Sequence, residues 1–449
     1  MKKNSLLAVF NQTQKKTEIK ARYFVTALFF IFIQTAFGQN TSTIYEEISS
    51  CFNEVKIETA KHQQLWGKDL YGPILLVDPN TRELYANFSD TEGALKPAGE
   101  IFTGVLPKEI NIANTAVNWS GRRWAMIILP LPTDKSDKIN LLAHELFHVS
   151  QPSLGFQLFN VENNHLDQRE GRIYLRLELE ALKKGVQSTD QAEQKQVLTN
   201  AMIFRKYRCS LYPGAEQSEN LLELNEGIAE YTGMMISGRD EAEAVKYFVG
   251  SINGFLNNPT FVRSFAYQTT PVYGYLLEKI KPGWNREITV KTNLTDYFIN
   301  AFALSIPTDL KKATGLILDK YDGEKIISEE TQREEKTKQL IILLKNKFIT
   351  QPHLVLNFEQ MNVSFNPGNI MPLEDKGTVY PNIRVTDNWG ILTVEHGALM
   401  SPNWDKISVS APVTNEKNKI SGDGWTLELK EGYSVIKDEN SGNYKLIKK

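Results

Sequence analysis

The chain has 449 residues, of which 41% are apolar and 23% are charged. This composition is typical of a folded globular protein and excludes a disordered one, and the length predicts two or three domains. The formal net charge of −2 provides no electrostatic attraction to nucleic acid, so we expect none as a partner.

The first 38 residues are typical of a secretory signal peptide. Four basic residues within residues 15–22 precede an uncharged apolar run at residues 23–33. The small residues Ala36 and Gly38 then predict cleavage directly after Gly38. The alternative, a membrane span, needs a longer apolar run. We therefore expect an exported protein, periplasmic, on the cell surface or extracellular, with no stable membrane span after cleavage.

The sequence contains two cysteines, Cys51 and Cys209. In an exported protein they can form one disulfide, because the compartment is oxidising. The alternative is two separate thiols, one of them buried. Both interpretations stay open, since a sequence gives no distance between the two residues.

The region before residue 135 mixes helix and strand patterns. Helical spacing of apolar residues marks residues 44–55, and strand-like runs at 71–77 and 83–88 flank a turn sequence, which predicts a hairpin. Residues 124–131 predict a further strand. Two prolines at its end place it at a sheet edge, because proline cannot donate to the ladder.

The remainder of the chain predicts helices followed by strands. The helices are expected at residues 136–150, 167–184, 191–209, 216–235, 241–256, 267–280, 308–320 and 329–347. After these, short β-rich runs alternate with turn residues and predict an antiparallel β domain at residues 349–449. Its Trp389, Trp404 and Trp425 form either a ligand platform or part of the core. The predicted fold class is α+β.

The decisive motif is His-Glu-x-x-His at residues 144–148, in an apolar and helical frame. Residues four apart share one face of a helix, so His144 and His148 can bind one metal ion. Glu145 can accept the proton of a water molecule, which is what zinc-assisted hydrolysis requires. The alternative is a core helix that carries two hydrogen-bonded histidines.

A second motif, Asn-Glu-Gly-Ile-Ala-Glu-Tyr, occupies residues 225–231. Buried carboxylates are costly unless they are paired or bind metal. Glu226 as third ligand completes a His₂Glu set with one position left for water. Glu230, one turn further on, can accept the free N–H of a zinc-binding histidine. The alternative is a solvated stripe shared with Glu219 and Glu223.

Together the two motifs resemble the gluzincin zinc peptidases, and especially their aminopeptidase-N and leukotriene-hydrolase branch. The resemblance covers these motifs and implies a thermolysin-like zincin catalytic domain, which we assign to residues 39–348. It implies that His144, His148 and Glu226 bind zinc and that Glu145 is the general base.

The resemblance also implies a catalytic tyrosine that hydrogen-bonds the oxyanion. Tyr267 occupies the comparable place, and Tyr273 and Tyr275 are alternatives. The chain departs from the branch in two respects. First, 77 residues (149–225) separate His148 from Glu226, whereas the gap in the branch is short. Second, the chain lacks the Gly-x-Met-Glu-Asn segment with which the branch recognises a free amino terminus.

A rival for the third ligand follows the first motif more closely. Asp167 or His165 stands at about the spacing that families with a short gap use. Asp167 also has an ordinary role as an acidic residue in the first turn of a helix, with Arg172 or Arg169 as its partner.

The sequence therefore predicts a secreted zinc metallopeptidase that acts on a peptide or protein substrate. The predicted edge strand at residues 124–131 could bind an extended peptide by backbone pairing. A different class stays open, namely a catalytically inactive, peptidase-like binding or cell-surface protein whose β domain binds the partner.

Overall fold

The computed structural model describes residues 33–156, 162–416 and 418–448. The chain divides into two compact units, of which the first ends at Glu47 and the second comprises residues 48–449. Helix α1 (Ile33–Lys61) begins in the first unit. The predicted signal peptide lies mostly outside the described residues. Within these residues, no helix combines the length and the apolar character that crossing a membrane requires.

A mixed sheet precedes the long helical region. Its strands are β1 (Ile74–Val77), β2 (Glu83–Ala86), β3 (Lys96–Ala98), β4 (Ile101–Val105), β5 (Thr115–Trp119) and β6 (Arg122–Ile128). Their order is β3-β4-β2-β1-β6-β5. The predicted hairpin is confirmed as the antiparallel pair β1 and β2, and β1 pairs with β6 in parallel.

The predicted edge position of residues 124–131 is wrong. Strand β6 pairs with β1 on one side and with β5 on the other, so it lies inside the sheet. Pro130 and Pro132 stand beyond its last residue, Ile128, and therefore interrupt no ladder bond. The edge strand at this end of the sheet is β5.

The helical region confirms most of the predicted elements. It contains α2 (Lys135–Ser150), α3 (Arg169–Gln187), α4 (Gln191–Leu211), α5 (Ala215–Leu222), α6 (Ile228–Ile236), α7 (Glu241–Phe255), α8 (Ala266–Glu278), α9 (Leu294–Ala301), α10 (Leu310–Ile317) and α11 (Gly323–Lys345). The short α9 was not predicted. Helix α2 begins one residue earlier than expected, because the Asp134 carboxylate accepts the Asp137 N–H as its N-cap.

The expected helix at residues 216–235 is interrupted by a π turn at Glu223–Gly227, which separates α5 from α6. Helix α6 then packs closely on α2. A Cβ atom at Gly233 would lie 2.5 Å from the Asn140 carbonyl oxygen, so glycine permits this approach of the two backbones. The two motif-bearing segments are thereby held side by side.

A buried ionic cluster anchors the π turn to the helices behind it. Arg205 donates to Glu178 at 2.7 Å and to Glu223 at 2.7 Å, and Arg208 donates to Glu219 at 2.6 Å. These side chains are at most 3% exposed. Removing one member of such a cluster leaves a buried charge unpaired, which is strongly destabilising.

The C-terminal region is rich in strands, as predicted. They are β7 (His353–Asn357), β8 (Asn362–Phe365), β9 (Met371–Pro372), β10 (Thr378–Tyr380), β11 (Ile383–Asp387), β12 (Gly390–Val394), β13 (Ala398–Met400), β14 (Lys406–Ser410), β15 (Pro412–Glu416), β16 (Lys419–Gly422), β17 (Trp425–Leu429), β18 (Tyr433–Lys437) and β19 (Tyr444–Lys448). They form two sheets, ordered β18-β19-β7-β14-β13-β10-β9 and β15-β16-β17-β12-β11-β8. All neighbours are antiparallel except β19 and β7.

Apolar residues of both C-terminal sheets share one core. Trp389 and Trp425 are buried in it and Trp404 packs against it, so the tryptophans are core residues and not a ligand platform. The domain boundary at residues 348 and 349 stays a prediction. The α+β fold class is confirmed.

The two cysteines are separate thiols. Cys51 is buried on α1 and Cys209 is half-buried on α4. Burial raises the pKa of Cys51 to about 11, so its thiol stays protonated.

Candidate metal centre

Three ligand atoms converge between α2 and the π turn. His144 Nε2 and His148 Nε2 lie 3.1 Å apart, and Glu226 Oε2 lies 3.6 Å and 3.3 Å from them respectively. Among the histidine, cysteine and acidic side chains of the described residues, these three lie close enough together to hold a metal ion. The structure thus brings together the three residues that the sequence predicted as ligands.

The other ring nitrogens decide which histidine atoms carry protons. His144 Nδ1 donates to Glu230 Oε2 at 2.9 Å, and His148 Nδ1 donates to Gln151 Oε1 at 2.7 Å. Both acceptors are oxygens without a proton, so in the neutral rings the Nε2 atoms carry bare lone pairs. Lone pairs that face each other and a carboxylate repel unless a cation lies between them. Two imidazole nitrogens and one carboxylate oxygen fit Zn²⁺ with an open position.

The electrostatics of the cluster favour a cation. Burial raises the pKa of Glu226, but the neighbouring His148 and His144 outweigh it and hold the pKa well below its usual range. Burial lowers the pKa of His144, whereas the neighbouring carboxylates of Glu226 and Glu230 raise it well above its usual range. The site therefore keeps an ionised carboxylate in buried surroundings, where a positive charge is strongly stabilised.

The π turn aims Glu226 at the histidines. Glu223, three residues earlier, accepts from Arg205 and from Thr269 Oγ1 at 2.6 Å, which fixes the turn from behind. π turns occur frequently at functional sites, because the wider turn re-aims a side chain. Sequence reasoning predicted a regular helix here.

Glu230 has the surroundings that its predicted orienting role requires. Its carboxylate accepts from His144 Nδ1, from Asn140 Nδ2 at 2.9 Å and from the Tyr247 hydroxyl at 2.6 Å. Burial raises the pKa of Glu230, but the charge and hydrogen bond of His144, together with the hydrogen bonds from Tyr247 and Asn140, outweigh it, so the net shift is downward. The solvated-stripe alternative is wrong, because Glu230 is 8% exposed and Glu223 is 1% exposed.

Gln151 was not predicted and connects both motifs. Its amide oxygen accepts from His148, and its amide nitrogen donates to the Asn225 carbonyl oxygen at 3.0 Å, directly before Glu226. The side chain is fully buried. Its position three residues after His148, on the same helical face, was the available sequence signal. Tyr247, on α7, had no such signal.

Gln151→Ala is expected to weaken zinc binding by about 10- to 100-fold, the usual effect of removing a hydrogen bond that orients a ligand. His148 loses the acceptor that fixes its proton on Nδ1, and the π turn loses the hydrogen bond from Gln151 to the Asn225 carbonyl oxygen. Competition with a chelating dye measures the affinity. Gln196→Ala, at an exposed position on α4, is the control. Equal affinity in both variants and wild type would contradict the role of Gln151.

Glu145 lies beside the ligands, buried on α2. Among the described residues, no hydrogen-bond partner reaches its Oε2 atom. Burial raises the pKa of this carboxyl group. An unpaired buried carboxylate oxygen costs free energy, and such exceptions are typical of functional groups.

Of the three candidate tyrosines, Tyr267 contacts the candidate metal ligands Glu226 and His144. Its hydroxyl donates to Glu226 Oε2 at 2.6 Å, and its ring stacks on His144 with centroids 5.4 Å apart. Burial raises the pKa of Tyr267 well above its usual range, so the hydroxyl stays a donor. Tyr273 donates instead to Glu178 in the ionic cluster, and the Tyr275 ring lies beside the Lys279 amino group.

The rival third ligands lie elsewhere. Asp167 Oδ1 accepts from Arg172 at 3.2 Å and from the Phe261 N–H at 3.1 Å, and His165 Nε2 lies 2.7 Å from Glu219. Both residues therefore hold the segment before α3 against its neighbours. The structure does not bring either of them to the histidine pair.

A cleft opens on both sides of Glu145 and Tyr267. A cavity of about 990 Å³ extends past Leu141, and one of about 280 Å³ extends past His148. Residues Ala113 and Asn114, which precede β5, line both cavities. Ser364 and Phe365, on β8 of the C-terminal region, also line both.

Comparison with known proteins adds no identification. No family model matches the chain, and no curated protein or solved structure is significantly similar to it. The resemblance to gluzincins therefore stays a prediction, and the case for this site is its geometry.

Proposed function

We propose that the protein is an exported zinc metallopeptidase with a thermolysin-like zincin catalytic domain. The observation that carries this proposal is the convergence of His144 Nε2, His148 Nε2 and Glu226 Oε2 beside Glu145, whose Oε2 atom has no hydrogen-bond partner among the described residues. This is the donor set of a hydrolytic zinc site, placed in an open cleft.

His144, His148 and Glu226 would hold the metal. When bound, zinc makes a water molecule nucleophilic at neutral pH and polarises a carbonyl oxygen. The hydrogen bonds from Nδ1 of the two histidines to Glu230 and Gln151 keep the Nε2 atoms bare for the ligand role.

Two further side chains supply the proton transfers and the hydrogen bond that peptide hydrolysis needs. Glu145 accepts a proton from the attacking water at Oε2 and returns it to the leaving amine. Its raised pKa suits a group that must both take and give a proton. The Tyr267 hydroxyl, which donates to Glu226 Oε2 in the structure, would turn to donate to the substrate carbonyl oxygen as negative charge develops there.

The edge strand favours a peptide as substrate. Strand β5 leaves one side of its backbone without a neighbouring strand, and the residues before it line the cleft. An extended peptide can pair with such an edge and present its carbonyl groups in a fixed register. The pairing role that the sequence assigned to residues 124–131 thus passes to β5.

Purified full-length protein should contain one zinc ion per chain and cleave a mixed peptide library, as read by mass spectrometry. His148→Ala should lose both properties, and a chelator should abolish cleavage until zinc is restored. Equal stoichiometric zinc in wild type and His148→Ala would overturn the proposal. Bound zinc with no cleavage of any peptide would favour the inactive binding protein.

Export has its own test. The mature amino terminus should be Gln39, because the small residues before it fit a signal peptidase. Amino-terminal sequencing of protein recovered outside the cytoplasm provides the measurement. An intact Met1 in the soluble cytosolic fraction would contradict export.

A further inference from the structure

Strand β8 of the C-terminal region ends at the candidate active site. It is the last strand of its sheet, and its final residue, Phe365, lines both cavities together with Glu145 and Tyr267. Pro367 also lines both. An aromatic ring from the C-terminal region thus lies on the wall of the cleft at the point where the two cavities meet.

Three neighbouring side chains pack against the Phe365 ring. The Tyr380 ring meets it edge-on, with centroids 4.7 Å apart, and the Trp404 ring lies 6.3 Å away. The Arg263 guanidinium carbon lies 5.5 Å from its centroid. Phe365 is nevertheless only half-buried. A fixed aromatic ring with an open side binds an apolar group at low cost in conformational entropy.

Hydrogen bonds fix β8 to residues 111 and 112. Asn111 Nδ2 donates to the Asn362 carbonyl oxygen at 2.9 Å, and Ser364 Oγ donates to the Ile112 carbonyl oxygen at 2.9 Å. Residues 111 and 112 lead directly into the segment that lines the cleft before β5. The position of Phe365 relative to this segment is therefore set by the fold.

The surroundings of Phe365 favour an apolar ligand group. The larger cavity continues over the apolar side chains of Ile128, Leu141 and Phe255. Two arginines line the cavities: Arg384 donates to the Asn111 side chain and to the Lys108 carbonyl oxygen, and the Arg263 guanidinium lies beside the Phe365 ring.

We propose that Phe365 is a specificity-determining residue that contacts a large apolar side chain next to the scissile bond. The C-terminal β region is then part of the substrate site and not a separate binding module. This inference rests on the proposed peptidase function. It predicts that the preferred substrates are peptides with leucine, phenylalanine or a similar residue beside the cleaved bond.

Peptide binding and cleavage test the inference together. Two labelled peptides that differ only in leucine or serine beside the scissile bond are compared. Affinity is measured by fluorescence anisotropy in zinc-loaded protein carrying Glu145→Gln, and kcat/KM is measured with Glu145 intact. Phe365→Ala should reduce the preference for leucine about tenfold or more in both assays, the usual effect of losing an apolar contact in a pocket.

Matched variants decide the outcome. Phe358→Ala removes a half-buried phenylalanine from the same region outside the cleft lining, so it should keep the preference. Phe365→Leu should restore most of it. An unchanged preference in Phe365→Ala, or an equal loss in both alanine variants, would overturn the inference. Failure of wild type to cleave any peptide would overturn the proposed function instead, while the binding comparison would still decide the role of Phe365.

Discussion

Glu145→Gln is expected to keep stoichiometric zinc and to lose peptide hydrolysis by about 10²-fold or more, the usual effect of removing a general base. The amide has the shape of the carboxylate but cannot accept the proton of water. Because no hydrogen-bond partner reaches Glu145 Oε2 among the described residues, the substitution breaks no bond of that atom in the fold. The measurement is kcat/KM at matched zinc content.

The control for this variant is Glu335→Gln, at an exposed position on α11, which should leave activity unchanged. Circular dichroism and zinc analysis must show that both variants are folded and loaded. A zinc-loaded Glu145→Gln variant with wild-type activity would remove Glu145 from the mechanism.

Glu226→Ala is expected to lose bound zinc and, with it, all hydrolysis. Two histidines without the carboxylate form an incomplete donor set, and the charge that favours the cation is gone. Asp167→Ala should keep zinc, because Asp167 contacts Arg172 and the Phe261 N–H and not the histidines. Its expected cost is a loss of folding stability on the order of 1–3 kcal/mol, from unpaired hydrogen-bonding groups.

Metal analysis after dialysis separates these two results, and chemical denaturation gives the stability of each variant. The reverse pattern, in which Asp167→Ala loses zinc while Glu226→Ala keeps it, would refute the assignment of Glu226. If both variants lose zinc, circular dichroism decides whether the fold has been lost.

The sequence predicted the metal centre better than its surroundings. His144, Glu145 and His148 follow from spacing on one helix, which is a local property of the chain. Glu226 required the second motif, and the structure places it beside them. Gln151 and Tyr247 orient the site through contacts between elements far apart in sequence, so local periodicity could not identify Tyr247, and spacing gave only a faint signal for Gln151.

The errors in the fold have a similar cause. The two prolines were read as a sign of an edge strand, although the strand ends before them and β5 continues the sheet. The π turn was missed because buried contacts of Glu223 with Arg205 and Thr269, residues distant from it in sequence, stabilise it. A β-rich C-terminal region was predicted, but β8 was not predicted as a strand, and neither was its place in the lining of the cleft.

The π turn has a consequence for how this segment can vary. Glu219 and Glu223 face the buried arginines, whereas Glu226 and Glu230 face α2. One residue added to or removed from Glu223–Gly227 would rotate everything after it by about 100° around the helix axis. Glu226 and Glu230 would then turn away from α2 and lose their contacts with its histidines. Relatives of this protein should therefore conserve the length of this segment even where its apolar residues vary.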